Sequence, residues 1–330
     1  MIPGRRPLLS VVVPAYQVGR YVDECLVSIL NQSWHDLEVV VVDDGSTDGT
    51  AARLAAFARA DPRVRVHRQV NAGLGAARNV GTALATGTYL TFADSDDVVL
   101  PGAYAALVGS LEASGSDLAI GAVHRLDADR VTMTPLMREN HREAHVGVRI
   151  DDVPLLLADV FAWNKVYRRS FWDTAGLGFP AGVRYEDQPA ITRALIAATG
   201  IDSLTEPVYG WRVRQDGSSI SQGRARLDDL QDRILTKRWS TELVRAHTAA
   251  ETQRVWFARV LPIDLWEYFR AVPGCSDDYW DLLRAGLAEF WGPDTVPVEQ
   301  LELPDRQRRM ALLVAADRRA DLEALLAAPR

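Results

Sequence analysis

Short runs of aliphatic and β-branched residues alternate with amphipathic stretches over the first part of the chain. The runs that predict buried strands are residues 8–13, 37–42, 64–67 and 88–93. The stretches with helical spacing of apolar residues are 22–30, 51–60 and 76–85. Strands that alternate with helices of about ten residues indicate βαβ units and a parallel sheet. Because ligands of such sheets bind beyond the carboxyl ends of the strands, we expect a site at the loops that follow them.

The pattern changes after about residue 117. Residues 117–125 predict one more strand, and amphipathic segments separated by Pro and Gly predict helices from residue 224 onward. We therefore predict an α/β fold in which a mostly parallel sheet is flanked by helices. A catalytic domain would comprise residues 1–222. A helical C-terminal region, residues 223–330, would serve packing, oligomerisation or acceptor presentation.

A polar and charged stretch, residues 127–145, is typical of a mobile surface loop. It contains His141 and His145, which are four positions apart and could in principle share a metal ion. Since no third ligand is near in the sequence, we interpret both as exposed side chains.

Composition narrows the class of protein. Apolar residues make up 48% and charged residues 25% of the 330 positions, which is ordinary for a globular protein. A net charge of -7 argues against a nucleic-acid binder. No apolar run approaches the roughly 18 residues of a membrane span. Cys25 and Cys275 match no metal spacing and favour a reducing compartment. We expect a cytoplasmic protein, and peripheral association with the inner face of the membrane stays open.

The acidic sequence at residues 94–97, Asp-Ser-Asp-Asp, directly follows a buried strand. Charge at such a position is costly unless a cation or hydrogen bonds compensate it. Hard carboxylate ligands suit Mg²⁺ or Mn²⁺, which commonly bridge carboxylates to a diphosphate. The alternative is a solvated turn in which an Asp caps the next helix.

Two further loops follow the same logic. Residues 43–49 lie between a strand and a helix, where Asp and Gly either form a turn or supply a carboxylate to the imide N–H of a uracil. Residues 71–79 place two glycines before a helix that carries Arg78. This arrangement is either a flexible helix entry or a close approach of backbone and guanidinium to a diphosphate.

Two motifs lie later in the chain. Asp187 precedes an apolar helix and could be its N-cap or a general base for an acceptor hydroxyl. Residues 211–221 hold Arg214 and several hydroxyl groups, which form either a diphosphate clamp or an edge strand with its turn.

Taken in order, these motifs resemble family 2 glycosyltransferases of GT-A fold. The matching segments are residues 10–16, 41–48, 71–79, 94–97 and 186–187. Residues 163–172 and 219–221 are similar to the glycosyltransferase modules of wall teichoic acid and related polyol-phosphate polymers.

The resemblance implies a GT-A (Rossmann-like) fold and an inverting, metal-dependent transferase that uses a UDP-sugar with Mn²⁺ or Mg²⁺. Asp187 would be the base, Glu186 would orient the acceptor or the base, and Asp96 would bind the metal. The residues implied to bind the donor are Pro14, Tyr16, Asp44, Asn71, Arg78, Asp94, Ser95 and Arg214. Asp44 would contact the nucleotide base, and Arg78 would serve the diphosphate or the donor sugar.

The sequence says less about the acceptor than about the donor. Arginines near the motifs suggest a basic rim and hence an acceptor that carries phosphate, such as a polyol-phosphate polymer. These arginines are Arg168, Arg169, Arg212, Arg214, Arg224 and Arg226. The alternative is that they pair with local carboxylates.

Other functions are alternatives to this one. A rhamnosyl or galactosyl transferase that acts on a lipid-linked or capsular glycan is the main alternative within the family. A nucleotidyltransferase would need a loop richer in Gly and Lys after the first strand than residues 16–20 provide. A non-catalytic carbohydrate-binding protein and a homo-oligomer are further hypotheses.

Overall fold

The computed structural model describes residues 7–127, 130–213, 223–292 and 294–328. Within these ranges, no helix combines the length and the apolar character that a bilayer crossing requires.

The chain divides into two compact units. The first contains the described residues among 1–149 and 159–214, and the second contains 150–158 together with those after 215. Residues 150–158, which the sequence-based division assigned to the catalytic domain, thus pack with the helical region. The separate roles of the two regions stay a prediction.

In the described part of the chain, the first unit is built on one sheet of ten strands. The strands are β1 (Leu9–Ala15), β2 (Leu37–Asp43), β3 (Val64–Arg68), β4 (Tyr89–Phe92), β5 (Val98–Val99), β6 (Leu118–Asp127), β7 (Arg130–Thr132), β8 (His145–Val148), β9 (Lys165–Arg168) and β10 (Ile201–Arg212). The order along the sheet is β3-β2-β1-β4-β9-β6-β10-β5, with β7 beside β6 and β8 beside β10.

Most of the central pairs are parallel, as predicted. β1 pairs in parallel with β2 and β4, β2 with β3, and β6 with β10. β9 is antiparallel to both β4 and β6 and therefore joins two parallel halves. The sequence pattern does not reveal this strand, because residues 165–168 lie between a loop and a short helix.

Helices cover the sheet. They are α1 (Val22–Leu30), α2 (Thr50–Ala60), α3 (Leu74–Leu84), α4 (Ala103–Ser114), α5 (Pro135–Asn140), α6 (Arg169–Thr174) and α7 (Asp187–Ala197). Every residue of β1 is buried, as expected for a strand covered on both faces. This burial explains why its sequence, apart from Ser10, is an apolar run without alternation.

The prediction of a mobile surface loop at residues 127–145 is wrong for its described part. Thr134 caps α5 by accepting a hydrogen bond from the backbone N–H of Met137, and the helix buries that methionine. His141 is 5% exposed, so its interpretation as an exposed side chain is also wrong. It contacts the buried carboxylate of Asp159, which in turn accepts a 2.6 Å hydrogen bond from Lys165.

The second unit is helical. Its helices are α8 (Leu227–His247), α9 (Ala250–Val255), α10 (Leu265–Arg270), α11 (Asp277–Phe290), α12 (Asp305–Ala315) and α13 (Arg319–Ala327). A π-helical turn at Trp256–Val260 follows α9, within the part of the chain predicted to be helical. Asp151 accepts hydrogen bonds from the backbone of Ala249 and the hydroxyl of Thr252, so residues 150–158 are tied to the start of α9.

Candidate active site

The loops after β1 and β2 meet at the carboxyl edge of the sheet. The backbone N–H of Asp44 donates to the carbonyl of Ala15 at 2.9 Å. Gln17, with a left-handed φ of 55°, accepts from the backbone N–H groups of Thr47 and Asp48. Tyr16, beside the two loops, is 48% exposed. An exposed aromatic face in this position is suited to stacking on a nucleotide base.

The carboxylate of Asp44 organises the glycine-containing loop before α3. It accepts hydrogen bonds from the backbone N–H of Ala72 at 2.8 Å, that of Gly73 at 2.9 Å, and the side-chain amide of Gln69 at 2.8 Å. Asp44 is 3% exposed. The structure thus places Asp44, Tyr16 and the 69–73 loop, which contains Asn71, at one edge of the sheet. The carboxylate of Asp44 stabilises that loop.

The acidic cluster at the end of β4 is held by β10. The backbone N–H of Asp94 donates to the hydroxyl of Tyr209 at 2.9 Å, and the backbone N–H of Arg212 donates to the carboxylate of Asp97 at 2.7 Å. Asp97 is buried. Burial, reinforced by the charges of Asp96 and Asp94, raises the pKa of Asp97 well above its usual value.

This concentration of negative charge fits a divalent cation. Among the described residues, no three His, Cys, Asp or Glu side chains converge on a point that a metal ion could occupy. Mg²⁺ and Mn²⁺ commonly use one or two carboxylates and complete their shells with substrate phosphates and water. The partly exposed Asp96, next to buried Ser95 and Asp97, offers such a carboxylate.

Arg78 lies in the interior and connects two carboxylates. Its guanidinium donates to Glu186 at 2.5 Å and to Asp94 at 2.8 Å. The residue is 1% exposed and lies on the first turns of α3. Arg78 therefore joins the end of β4 to the residue that precedes α7. A contact between Arg78 and the donor stays a prediction.

Glu186 and Asp187 stand at the N-terminus of α7. Glu186 is 4% exposed, whereas Asp187 is partly exposed at the first helical position. Burial, opposed by Arg78 and reinforced by the charge of Asp187, raises the pKa of Glu186 to about 7. Asp187 also interacts electrostatically with Arg78, so the predicted base lies close to the guanidinium that contacts Asp94.

The predicted site residues fall into two groups at one edge. Tyr16, Asp44 and Asn71, with Pro14 in β1, surround the loops after β1 and β2. The remainder, Arg78, Asp94, Ser95, Asp96, Glu186 and Asp187, surround the end of β4 and the start of α7. Arg214, predicted to bind the donor, lies outside the described residues.

The predicted basic rim is wrong for Arg168 and Arg169. Arg168 aligns with Tyr89, the first residue of β4, whereas Asp94 follows the opposite end of that strand. Arg169 pairs with Asp173 beside the same edge. Arg212 does lie at the acidic cluster, where its guanidinium donates to the carbonyl of Asp96.

The sequence pattern indicates Arg212, at the end of β10, but gives no signal for Tyr209 of the same strand. Tyr209 contacts Asp94 although the two residues are 115 positions apart, and nothing in the local pattern signals this contact. Asp97 belongs to the acidic run that the sequence analysis identified, although no separate role was assigned to it.

The family model of glycosyl transferase family 2 matches residues 10–174, half of the chain. This chain belongs to glycosyl transferase family 2. The match confirms the family that the ordered motifs predicted. Similar proteins include the glycosyltransferase EpsJ of Bacillus subtilis, 31% identical over 210 residues, which are 62% of this chain and 61% of EpsJ. YibD of Escherichia coli is 41% identical over 184 residues, 54% of each chain.

The chain spans about three fifths of EpsJ and one third of the glycosyltransferase GlyA of Streptococcus pneumoniae, with which it shares 28% identity over 250 residues. Among solved structures, S. aureus TarS in complex with UDP-GlcNAc has a TM-score of 0.68 at 19% identity and covers 96% of this chain and 90% of that one.

The mannosyltransferase PcManGT from Pyrobaculum calidifontis, in complex with GDP-Man and Mn²⁺, has a TM-score of 0.57 at 20% identity. The likeness covers 98% of this chain and 87% of that one. At these identities the two likenesses concern the fold, and they confirm the predicted GT-A-like α/β architecture with its helical C-terminal region.

Proposed function

We propose that this glycosyltransferase transfers a sugar from a UDP-sugar to an acceptor hydroxyl with inversion, and that Asp187 is the general base. The observation that carries the proposal is the Arg78 bridge. It links Asp94, in the acidic cluster after β4, to Glu186, the neighbour of Asp187. A donor-binding cluster and a base are thereby held at the same edge of the sheet.

The chemistry requires one displacement. The acceptor oxygen forms a bond to the anomeric carbon as the bond between that carbon and the diphosphate oxygen breaks. Asp187 takes the proton of the acceptor hydroxyl, and the electron pair of the broken bond leaves with UDP. Attack opposite the leaving group inverts the anomeric configuration. Glu186, held by Arg78, fixes the start of the helix from which Asp187 projects.

A divalent cation, Mn²⁺ or Mg²⁺, would be held by Asp96 and would supply charge stabilisation to the departing diphosphate. The proximity of three carboxylates, those of Asp94, Asp96 and the buried Asp97, supports the presence of a cation at this cluster in the working enzyme. PcManGT offers a parallel, since its structure contains Mn²⁺.

For the nucleotide, we propose that uracil stacks on Tyr16 and that its imide N–H donates to Asp44. Each carboxylate oxygen can accept two hydrogen bonds, and Asp44 Oδ2 accepts a single protein hydrogen bond from the described residues, that of Gly73. Arg78, Asn71 and Ser95 would contact the remainder of the donor. Exposure of Tyr16 and the close approach of the 69–73 loop support this placement.

For the acceptor, we propose a hydroxyl of a polyol-phosphate polymer or of a lipid-linked or capsular glycan. The resemblance of residues 163–172 to teichoic acid modules supports the polymer. Arg168 and Arg169 lie away from the site, so fewer arginines are left there to attract the phosphates of such a polymer. The helical unit is proposed as an acceptor platform or an oligomerisation surface.

A panel assay tests the proposal. The protein is incubated with UDP- and GDP-sugars, with and without neutral and phosphate-bearing acceptors, and nucleotide release and product anomer are measured. We expect transfer from one UDP-sugar, inversion at the anomeric carbon, and transfer about 100-fold slower or more by Asp187→Asn. Tight UDP binding with no turnover of any donor would instead favour a non-catalytic carbohydrate-binding protein.

Within that panel, salt separates the two acceptor classes. Transfer to an anionic polymer recognised by exposed cations should weaken as salt rises, because such attraction is screened over about 8 Å at physiological ionic strength. Equal rates on neutral and phosphate-bearing acceptors at every salt concentration would favour the glycan.

A further inference from the structure

Asn79, on α3, holds both backbone polar groups of one distant residue. Its side-chain N–H₂ donates to the carbonyl of Phe179 at 2.7 Å, and its side-chain oxygen accepts from the N–H of Phe179 at 2.9 Å. The two residues are 100 positions apart. Such a paired contact fixes the direction of the Phe179 backbone as well as its position.

The ring of Phe179 is anchored independently of that backbone contact. It packs edge-on against Phe92, with ring centroids 5.1 Å apart, and it lies 5.8 Å from Trp172. The guanidinium of Arg78 stands 5.2 Å from the centre of the ring. Since Phe92 ends β4, two residues before Asp94, Phe179 is anchored close to the start of the acidic cluster.

The chain from Phe179 to Asp187 includes two left-handed positions, Gly182 at φ 74° and Tyr185 at φ 62°. A non-glycine residue at positive φ costs about 1 kcal/mol or more, so the surrounding structure must impose the path of this segment. The two ends of the segment are the places where α3 contacts it.

Gly75 lies close to both ends of the segment. A Cβ atom at Gly75 would come within 2.4 Å of the carbonyl oxygen of Pro180 and 3.1 Å of the Cγ of Glu186. The absence of a side chain lets α3 approach both ends of the segment. One helix face, formed by Gly75, Arg78 and Asn79, therefore holds the segment that delivers Asp187.

We propose that Asn79 is a positioning residue for Asp187, acting through Phe179 and the segment 180–186. The inference rests on the proposed role of Asp187 as base. The inference assigns the second half of the 71–79 motif, which contains Asn79, to holding the base. The first half of the motif contains Ala72 and Gly73, which are held by Asp44 and face the nucleotide loops.

The expected effect is on the rate of the chemical step. A displacement of about 1 Å in a catalytic group can reduce a rate by about 100-fold. Asn79→Ala removes both hydrogen bonds, so we expect kcat to fall about 10- to 100-fold while the Kd for UDP changes less than about threefold. Asn79→Asp retains the acceptor but places a carboxylate oxygen against the Phe179 carbonyl, so an equal or larger loss is expected.

Asp117→Ala provides a matched control. Asp117 precedes β6 at the other edge of the sheet and also makes two hydrogen bonds to one distant residue, from the N–H and hydroxyl of Thr199 at 2.7 and 2.8 Å. We expect Asp117→Ala to lower the Tm comparably and to leave kcat within about twofold. Hydrogen exchange should increase across residues 177–188 in Asn79→Ala and remain unchanged there in Asp117→Ala.

A double-mutant cycle with Asp187→Asn tests whether Asn79 acts through Asp187. If Asn79 acts through the base, Asn79→Ala should have little further effect on kcat in the Asp187→Asn background. Full additivity, or a loss of UDP affinity at unchanged kcat, would overturn the positioning role. If Asp187→Asn alone retained full activity, the proposed base would fail, and that failure is separate from an unchanged kcat in Asn79→Ala.

Discussion

The guanidinium of Arg78 and the carboxylate of Glu186 form a buried ion pair 2.5 Å long across 108 positions of sequence. Both side chains are nearly inaccessible, at 2% and 5% exposure. Charges in such a place are tolerated when hydrogen bonds and partners compensate them. Arg78 provides this compensation to Asp94 as well, so the stability of the site and the placement of its base depend on one side chain.

Replacement of Arg78 should therefore be costly. Arg78→Ala leaves two carboxylates without their cation, and we expect the free energy of unfolding to fall by about 3–5 kcal/mol. The exposed pair of Arg53 and Asp23 is the control, because Arg53→Ala should cost at most about 1 kcal/mol. Urea unfolding measures both. Equal losses in the two variants would contradict a structural role for the bridge.

The base assignment predicts a selective loss of rate. Asp187→Asn keeps the size of the side chain but cannot take the acceptor proton, so we expect kcat to fall about 100-fold or more. The Kd for UDP, measured by calorimetry, should stay near the wild-type value. A variant that loses UDP binding but transfers normally once the donor is bound would show Asp187 to be a structural residue.

Metal dependence follows from the placement of Asp96. Chelation by EDTA should abolish transfer, addition of Mn²⁺ or Mg²⁺ should restore it, and Asp96→Ala should lose activity while it keeps its Tm within a few degrees. Asp173→Ala, which removes an exposed carboxylate near the other end of β4, should behave as wild type. Full transfer in EDTA would exclude the metal role.

Glu186 predicts a pH dependence of stability. Its pKa is about 7 in the folded protein and near its usual 4.5 in the unfolded chain, so the folded state binds more protons between these values. The free energy of unfolding should therefore decrease as pH rises from about 4.5 to about 7. Glu186→Gln should remove this contribution, which the difference between the two stability–pH curves measures. Parallel curves would contradict the raised pKa.

Much of the site was predictable because its chemistry is local in sequence. A strand buried on both faces must be continuously apolar, and the loop after it must carry the polar groups, so residues 43–49 and 94–97 could be placed at one sheet edge from the pattern alone. The ordered motifs gave the family in the same way. The fold and the acidic cluster are confirmed, whereas the individual roles at the site stay predictions.

Only the tertiary structure decided which side chains share a contact. Arg78 was interpreted as a group for the donor, and its burial between Asp94 and Glu186 depends on packing between α3 and a segment about one hundred residues later. Arg168 lies at the opposite edge because β9 runs antiparallel to β4, a direction that four residues of sequence do not encode. Sequence determines periodicity and local chemistry, while long-range pairing depends on the packing of the whole chain.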